Sequence, residues 1–245
     1  GIRDIMIISD PENLKRIQTL LGDGSNFGIS ICYGVQKKPN GIAESILIAE
    51  EFLQNDDFTL ILGDNILYGN DLLGLLENNR ALKDSAMIYA YQVANPSSFG
   101  VVELSVNGKP ISIEEKPSTP KSSYACIGLY SYPNIAIEKT KTLNPSSRGE
   151  LEITDLNKLF LTTDSLNVTT LGRGYAWFDA GSEDSLLEAA NFISTIQKRS
   201  LFSIGCLEEI ALTQGWMTVE EISKILSTKS SSSYYEYIRN LLSQS

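Results

Sequence analysis

Short apolar runs alternate with helical patterns through the first third of the chain. Ile5-Met6-Ile7-Ile8 is a continuous apolar run, typical of a strand buried on both faces. Asp10 and Pro11 then supply a helix N-cap and a proline at the first helical position. The same reasoning predicts three further elements: a strand over 30–36, a helix over 42–54 and a strand over 59–62. Strands that alternate with helices predict an α/β fold in which helices cover both faces of a parallel sheet.

The middle of the chain is rich in strand patterns, and its last quarter is helical. Strands are expected over 86–93, 100–105, 111–115, 126–132, 167–171 and 175–179, and helices over 150–161, from 182 onward, from 218 onward and over 234–242. Asn107-Gly108 is a typical hairpin turn, and Thr218 with Glu221 forms a capping box. We therefore predict one α/β domain with a mixed, mainly parallel central sheet and a helical C-terminal part.

Composition excludes several classes of chemistry. The 245 residues include no histidine, which excludes a Ser-His-Asp triad, a Cys-His dyad and an HExxH zinc site. With 30 acidic and 20 basic residues the net charge is −10, which argues against nucleic-acid binding because that depends on clustered Lys and Arg. No apolar run approaches the roughly 18 residues that a membrane span needs, and no stretch resembles a signal peptide. Three widely spaced cysteines favour a reducing cytoplasm.

Two aspartates follow apolar segments where strands are expected to end. Asp64 comes after the run 59–62, and Asp179 follows Tyr175-Ala176-Trp177-Phe178. Ligands of open α/β sheets bind outside the carboxyl ends of the strands, and Mg²⁺ prefers one or two carboxylates with water and phosphate oxygens. The pair suits phosphoryl or nucleotidyl transfer, which needs no histidine. Each aspartate alone also fits a structural role, Asp64 in a turn and Asp179 as a helix N-cap.

Other charged motifs are candidates for binding a phosphorylated ligand. Glu114-Glu115-Lys116-Pro117 places a cation beside two acids at a strand end, and Arg148 precedes a polar helix start over 149–155. Arg173 lies in Gly172-Arg173-Gly174, where glycines let the backbone approach an anion closely. Taken singly, these motifs also fit solvated loops, or the start of a helix that acidic residues at its N-terminus stabilise.

Taken in order, the motifs resemble those of the glucose-1-phosphate thymidylyltransferases, a group of sugar nucleotidyltransferases. The resemblance runs from Gly1 to about Glu209. It is carried by these segments: Gly22-Asp23-Gly24-Ser25, Val35-Gln36 with Gly41, Leu62-Gly63-Asp64-Asn65, Phe99-Gly100-Val101-Val102-Glu103, Glu114-Glu115-Lys116-Pro117, Arg148-Gly149-Glu150-Leu151-Glu152-Ile153-Thr154-Asp155 and Gly172-Arg173-Gly174-Tyr175-Ala176-Trp177-Phe178-Asp179.

The resemblance implies a reaction in which dTTP and α-D-glucose 1-phosphate give dTDP-glucose and pyrophosphate, the first step of dTDP-rhamnose synthesis. The sugar phosphate oxygen attacks the α-phosphorus in line. A phosphate monoester is already ionised near neutral pH, so no general base is required, which agrees with a chain without histidine. Catalysis then depends on positioning and on neutralising charge.

The resemblance also implies roles for individual residues. Asp64 and Asp179 would hold Mg²⁺, Asp64 would also contact the nucleotide, and Gln36 and Gly41 would recognise thymine. Lys116 would contact phosphate, in a glucose 1-phosphate pocket lined by Gly100, Glu115, Lys116, Cys126, Tyr130, Arg148 and Glu150. A second nucleotide site, for feedback inhibition by dTDP-rhamnose, is expected around Gly69, Arg173 and Glu209. The family suggests a cytoplasmic homotetramer.

In this interpretation, 1–98 bind the nucleotide, 99–181 bind the sugar phosphate and 182–245 form the helical C-terminal part. The family begins with a strand and a Gly-rich loop carrying an Arg, followed by a Lys, and Gly1 aligns just after the family's first helix. We therefore expect a fragment of a longer protein, and the missing central strand leaves unpaired strand edges. The alternative is a truncated relative that binds nucleotide sugars without catalysis.

Four positions depart from the family pattern: Glu44 stands for Gln, Phe99 for Tyr, Cys126 for Val and Ala180 for Thr. Cys126 would contribute through its backbone, whereas Phe99 loses a hydroxyl near the sugar. Glu44 leaves open whether the enzyme prefers a nucleotide with a base other than thymine. A uridylyl- or adenylyltransferase of the same family is therefore a further alternative.

Overall fold

The computed structural model describes residues 1–79 and 84–243, which form two compact units. The central unit comprises residues 39–190, and the terminal unit combines residues 1–38 with 191–245. The strands are β1 (Asp4–Ser9), β2 (Ser30–Val35), β3 (Phe58–Ile61), β4 (Asn65–Gly69), β5 (Ala86–Gln92), β6 (Gly100–Leu104), β7 (Pro110–Glu115), β8 (Tyr124–Tyr132), β9 (Leu166–Leu171) and β10 (Tyr175–Asp179). The helices are α1 (Pro11–Leu21), α2 (Glu44–Ile48), α3 (Glu50–Leu53), α4 (Leu72–Asn79), α5 (Ala136–Lys141), α6 (Ile153–Thr162), α7 (Glu183–Gln197), α8 (Leu207–Thr213), α9 (Val219–Leu226) and α10 (Ser233–Leu242). The functional division into 1–98, 99–181 and 182–245 stays a prediction.

The main sheet of the central unit is built around β8. Its strand order is β7-β6-β8-β5-β9, and β3 also pairs with β8. The long strand β8 is buried over most of its length and runs antiparallel to β3, β5 and β6. By contrast, β5 and β9 are parallel. The strands β6 and β7 pair as an antiparallel hairpin, as the Asn107-Gly108 turn predicted.

The prediction of an α/β fold with a mixed sheet is confirmed, but the prediction that its strands are mainly parallel is wrong. Across 1–79 and 84–243, five strand pairs are antiparallel and two are parallel, β1–β2 and β5–β9. A continuous apolar run indicates only that both faces of a strand are covered, and antiparallel β8 meets that condition equally well. Strand direction depends on partners distant in the sequence, which a local pattern does not contain.

Helices cover both faces of the main sheet within the central unit, as predicted. On one face Tyr132 stacks on Phe160 of α6, with 5.9 Å between ring centroids. The Tyr132 hydroxyl also donates to Asn157 Oδ1 at 2.6 Å. On the other face, Leu75 and Leu76 of α4 pack on a cluster formed by Met87, Tyr89, Ile127, Leu129 and Leu171. The sheet is therefore a middle layer that is buried on both sides.

Replacing Phe160 by alanine is expected to lower the free energy of unfolding by about 3–5 kcal/mol. The ring is completely buried, and the substitution removes its packing on Tyr132 and on the Lys139 ammonium, 5.0 Å from the ring centroid. Urea unfolding followed by circular dichroism measures this loss. Val106→Ala is the matched control, because the Val106 side chain is exposed and its loss should change stability by less than about 0.5 kcal/mol. A loss below about 1 kcal/mol for Phe160→Ala would contradict the packing described.

The strands β4 and β10 form an antiparallel pair that positions the candidate site. Their register places Asp179 opposite Asn65 and Tyr175 opposite Gly69. A side-chain carbon at position 69 would overlap the Tyr175 ring, so the close approach of the two strands requires glycine there. The Tyr91 hydroxyl donates to the Tyr175 carbonyl at 3.0 Å, which ties β10 to β5. The pairing thus brings together two segments that are distant in the sequence, and the Tyr91 hydrogen bond attaches them to the main sheet.

In the terminal unit, β1 and β2 are parallel and α1 connects them. The Asp10 carboxylate accepts two backbone N–H bonds from the first turn of α1, which confirms the predicted N-cap. The helices α8, α9 and α10 contribute to a separate core that includes the fully buried Ile222. The capping box of Thr218 and Glu221 is present at the start of α9.

Two predicted helices differ from the structure. Residues 42–54 form α2 and α3 instead of one helix, and the helix expected over 150–161 begins at Ile153. Leu151 is occupied by other backbone bonds: its N–H donates to the Asn40 carbonyl at 2.6 Å, and its carbonyl accepts from Ala43 N–H at 3.1 Å. Residues 150–152 therefore stay outside α6, and Glu152 is its N-cap residue.

The three cysteines Cys32, Cys126 and Cys206 are free thiols. In the part of the chain that the structure describes, no helix combines the length and the apolar character needed to cross a membrane.

Candidate active site

Asp64 lies in the turn between β3 and β4. Leu62 N–H donates to the Gly128 carbonyl at 2.8 Å, and Asn65 N–H donates to the Leu62 carbonyl at 3.1 Å. These bonds hold the turn against β8 and leave Asp64 exposed. The prediction that Asp64 follows a strand is confirmed. Asp64 lies in a turn, and that turn is also the end of β3.

The carboxylate of Asp179 reaches the same place from the end of β10. Ala180 N–H donates to the Asp64 carbonyl at 2.8 Å. A carbon at the Cβ position of Gly181 would lie 3.3 Å from Asp179 Oδ1 and 3.5 Å from Asp64 Oδ2. One oxygen of each carboxylate therefore faces the same small volume, which the missing side chain of Gly181 leaves open.

The two carboxylates repel each other. Burial raises the pKa of Asp179, and the negative charge of Asp64 raises it further. A hydrogen bond from the Gly181 backbone and the positive charge of Lys116 lower the same pKa. Opposite charge favours the ionised form of a carboxylate, so additional positive charge at this point stabilises the pair.

Lys116 joins this charged group from the end of β7. Its φ of 43° lies in the left-handed region, and its N–H donates to the Phe99 carbonyl at 3.0 Å. Left-handed backbone at a residue other than glycine costs of order 1–3 kcal/mol and clusters at functional sites. In a regular strand, the side chains of Glu115 and Lys116 would point to opposite faces of the sheet. The left-handed backbone at Lys116 ends this alternation of side-chain direction. The charges of Asp64 and Lys116 act on Asp179 in opposite directions, Asp64 raising and Lys116 lowering its pKa.

The aspartate pair fits a hard divalent cation held jointly with a ligand. Within residues 1–79 and 84–243, no group of three or more His, Cys, Asp or Glu side chains is arranged to hold a metal ion. A structural zinc site needs four protein ligands. Mg²⁺ takes one or two carboxylates and completes its shell with water and substrate phosphates. The donor set formed by Asp64 and Asp179 thus suits a hard divalent cation that completes its shell with other oxygen ligands.

Asn65 is the hydrogen-bonding centre of the site, although the sequence analysis gave it no role of its own. Its Nδ2 donates to Asp64 Oδ1 at 2.8 Å. Its Oδ1 accepts from Gly128 N–H at 2.8 Å and from Trp177 Nε1 at 2.7 Å. These two donors fix the orientation of the amide, so its NH₂ group faces Asp64. With Oδ1 held by Asn65, the other oxygen of Asp64 is directed toward Gly181.

Replacing Gly128 by alanine is expected to lower the free energy of unfolding by about 1–3 kcal/mol. A side-chain carbon at this position would lie 2.7 Å from both Asn65 Cγ and Leu62 Cγ, which is too close for non-bonded carbons. Urea unfolding followed by tryptophan fluorescence tests this. Gly172→Ala is the control, because a carbon there meets no atom within 4 Å. Equal stability of the two variants would show that position 128 tolerates a side chain.

A second charged cluster surrounds Glu115. Thr154 Oγ1 donates to Glu115 Oε2 at 2.6 Å. Arg148 Nη2 lies 3.5 Å from Glu115 Oε1, 3.5 Å from Glu150 Oε2 and 2.8 Å from Glu152 Oε2. The structure thus brings Arg148, Glu115 and Glu150 together, as expected for one pocket. It adds the buried Glu152, which the sequence analysis assigned to no site.

Neutral groups form the wall beside Glu115. Gly100 leaves space, since a carbon on it would lie 3.3 Å from Glu115 Oε2 and 3.8 Å from Cys126 Cβ. Burial, with a contribution from the charge of Glu115, raises the pKa of the Cys126 thiol to about 12. Burial also raises the pKa of Tyr130, and the charge of Glu115 adds to it. Both side chains stay protonated near neutral pH, so they add no charge beside Glu115.

Comparisons with known proteins identify the family. A family model described as nucleotidyl transferase matches residues 1–196. A glucose-1-phosphate thymidylyltransferase from Neisseria meningitidis is 49% identical over 242 residues, covering 99% of this chain and 84% of that protein. One from Xanthomonas campestris pv. campestris is 44% identical over 241 residues, covering 98% of this chain and 82% of that protein. The chain belongs to the glucose-1-phosphate thymidylyltransferases.

Solved structures share the fold. A crystal structure from Bacillus anthracis, described as a glucose-1-phosphate thymidylyltransferase in complex with a sucrose, aligns with a TM-score of 0.72 and 40% identity. That alignment covers 78% of this chain and 76% of the other. A UDP-glucose pyrophosphorylase complexed with UDP-glucose aligns with a TM-score of 0.65 at 21% identity, over 79% of this chain and 81% of the other, and shows likeness of fold alone. The nucleotidyltransferase fold expected from the motifs is therefore confirmed.

The two residues that the thymidylyltransferase motifs assign to thymine lie in different units. Gly41 belongs to the central unit, has a φ of 104° and approaches the Leu151 backbone so closely that a side chain would overlap it. Gln36 belongs to the terminal unit, where its N–H donates to the Ser9 carbonyl at 3.0 Å. Contact of Gln36 and Gly41 with thymine stays a prediction.

The residues expected at the thymidylyltransferase regulatory site are also divided between the units. Gly69 pairs with Tyr175, two residues after Arg173, in the central unit. Glu209 lies in the terminal unit, and its carboxylate accepts a hydrogen bond from the Tyr237 hydroxyl at 2.7 Å. Regulation through these residues stays a prediction.

Two residues that depart from the thymidylyltransferase pattern, Phe99 and Glu44, make defined contacts in the structure. Phe99 packs edge-on against Trp177 with 5.0 Å between ring centroids. The carboxylate of Glu44 accepts a hydrogen bond from Asn40 Nδ2 at 2.8 Å.

Proposed function

We propose that this thymidylyltransferase transfers dTMP from dTTP to α-D-glucose 1-phosphate, the first step of dTDP-rhamnose synthesis. An ionised oxygen of the sugar phosphate bonds to the α-phosphorus, the α–β phosphoanhydride bond breaks, and pyrophosphate leaves with the electron pair. No proton is removed from the nucleophile, in keeping with a chain without histidine. The observation that carries the proposal is the convergence of Asp64 Oδ2 and Asp179 Oδ1 beside Gly181.

We propose Mg²⁺ as the cation, with Asp64 and Asp179 as its protein ligands. When bound, the cation neutralises charge on the phosphates of the nucleotide. Asn65 orients the Asp64 carboxylate through the bond from Nδ2. The pKa of Asp179, raised by burial and by Asp64, supports a site that gains a cation with its substrate. The chemistry of the donor set is the basis for this choice.

Lys116 and Glu115 have complementary roles in the proposal. The Lys116 ammonium, beside the aspartates, neutralises the sugar phosphate and the transferring group. Glu115, held by Thr154, accepts hydrogen bonds from sugar hydroxyls. Gly100, Cys126 and Tyr130 provide a neutral wall against which the sugar ring packs. Arg148 and Glu150 lie at the same end of the pocket.

The remaining assignments extend the proposal. Gln36 and Gly41 recognise thymine, and dTDP-rhamnose acts as feedback inhibitor at Gly69, Arg173 and Glu209. Asp64 contacts the nucleotide as well as the metal. A homotetramer in the cytoplasm is the form in which we expect the protein to act, and the free thiols of all three cysteines support a reducing compartment.

Product analysis tests the proposed reaction. The protein is incubated with dTTP, glucose 1-phosphate and Mg²⁺, and dTDP-glucose and pyrophosphate are quantified by chromatography and a coupled assay. We expect equal amounts of both products, none without glucose 1-phosphate, and none when EDTA removes the metal. Parallel reactions with UTP and ATP compare kcat/KM values. Product from UTP or ATP but not from dTTP would contradict the assigned base, and no product from any nucleotide would contradict the transferase.

A further inference from the structure

Glu152 is a buried acid that the reaction described above does not use. Only 7% of the residue is exposed. It is the N-cap residue of α6, yet its side chain makes no capping hydrogen bond. Burying a carboxylate is costly unless it is paired and hydrogen-bonded. The carboxylate must therefore be held by other partners.

Those partners are Arg148 and Ser146. Arg148 Nε donates to Glu152 Oε1 at 3.2 Å and Nη2 donates to Oε2 at 2.8 Å, a two-point contact along one edge of the guanidinium. Ser146 Oγ donates to Oε1 at 2.6 Å. Paired bonds of this kind fix both the position and the plane of an arginine. Glu152 thus anchors Arg148 from the interior.

The anchored guanidinium stands close to Glu115 without binding it tightly. Arg148 Nη2 donates only a long hydrogen bond, of 3.5 Å, to Glu115 Oε1, and it lies equally far from Glu150 Oε2. A close charge-assisted bond is about 2.7–2.9 Å long. Because a carboxylate oxygen accepts more than one hydrogen bond, Glu115 Oε1 keeps room for a second, shorter bond, while Oε2 accepts from Thr154.

We infer that Glu152 is a positioning residue: it holds Arg148 back from Glu115 and so keeps the Glu115 carboxylate open to sugar hydroxyls. This inference rests on the proposed function, in which a sugar 1-phosphate occupies this pocket. Without the charge of Glu152, the guanidinium is free to close on Glu115 and to occupy the oxygen that the sugar needs. Glu152 therefore controls the affinity for the sugar and not the affinity for the nucleotide.

The substitution Glu152→Gln tests the inference, because glutamine keeps the size of the side chain and removes its charge. We expect the KM for glucose 1-phosphate to rise about tenfold, with the KM for dTTP unchanged within about twofold. Asp155→Asn is the matched control: it removes one carboxylate from the same helix start, where the Asp155 carboxylate pairs with the exposed Lys158 at 2.8 Å. This control should leave both KM values unchanged.

A double-variant cycle asks whether Glu152 acts through Arg148. In an Arg148→Met background, Glu152→Gln should cause no further rise in the KM for glucose 1-phosphate. The effects of two substitutions are not additive when one residue acts through the other. Additive effects would overturn the inference, as would an unchanged KM in the single variant. Parallel increases in both KM values with a lower unfolding temperature would also overturn it, since they indicate a purely structural role.

Calorimetry separates this inference from the proposed function. If the wild type forms no dTDP-glucose, the proposed function fails on its own. Titration of the wild type and of Glu152→Gln with glucose 1-phosphate still decides the role of Glu152. We expect about tenfold weaker binding by the variant, and equal binding, or none by either protein, would overturn the inference.

Discussion

Replacing Asp64 by asparagine is expected to lower the rate of dTDP-glucose formation at least about 10³-fold. Asparagine has the same shape and can still accept the hydrogen bond from Asn65, so the turn should be preserved. What disappears is one of the two negative charges that face the volume beside Gly181. The rate is measured as pyrophosphate release at saturating dTTP and glucose 1-phosphate.

Asp164→Asn is the control for this prediction. Asp164 is an exposed aspartate with a φ of 51°, and asparagine tolerates the left-handed region equally well. The control should keep its full rate, and the unfolding temperature of both variants should match that of the wild type. A rate for Asp64→Asn within tenfold of the wild type would refute the assignment of Asp64.

Replacing Lys116 by methionine is expected to lower kcat/KM for glucose 1-phosphate about 10²–10³-fold, the loss typical when one preorganised partner of the reacting group is removed. Methionine keeps a long, unbranched side chain and the same left-handed backbone, but it has no charge. The substitution also removes the positive charge that lowers the pKa of Asp179. Steady-state kinetics with varied glucose 1-phosphate measure the change.

Lys121→Met serves as the control for Lys116→Met. Lys121 is an exposed lysine that pairs with Glu114, the residue preceding Glu115. Exposed ion pairs contribute little to stability, so this variant should retain kcat/KM within about twofold. Similar losses in both variants would mean that the effect comes from net charge alone, and the role of Lys116 would be wrong.

The sequence predicted the convergence of Asp64 and Asp179 because strand ends have a simple local signature. An apolar run followed by Gly63-Asp64-Asn65 marks one end, and aromatic residues followed by Asp179 mark the other. The general placement of ligands at such ends then linked the two positions. The structure adds how they meet, through the antiparallel register of β4 and β10.

The residues that support the site could not be predicted in the same way. Asn65 acquires its role from Gly128 and Trp177, which lie 63 and 112 positions away in the sequence. Glu152 looks like one of several acidic residues at a helix start, and only its burial against Arg148 distinguishes it. Such contacts depend on the packed fold, and composition and periodicity do not contain them.

The direction of the strands was missed for a related reason. The strands β5 and β8 are buried on both faces, and this pattern is common in parallel sheets. In β8 it arises because α6 and α4 cover opposite faces of an antiparallel arrangement. Burial can be inferred from hydrophobicity, but the direction of pairing follows from chain topology.

The central claim is that Asp64 and Asp179 hold one divalent cation together with the nucleotide. Electron paramagnetic resonance with Mn²⁺ in place of Mg²⁺ measures this directly: the free Mn²⁺ signal is followed during titration with protein and dTTP, and the fall caused by dTTP alone is measured separately and subtracted. We expect one Mn²⁺ per chain, with affinity at least about tenfold weaker in both Asp64→Asn and Asp179→Asn and unchanged in Asp164→Asn. Wild-type affinity in either of the first two variants would contradict it.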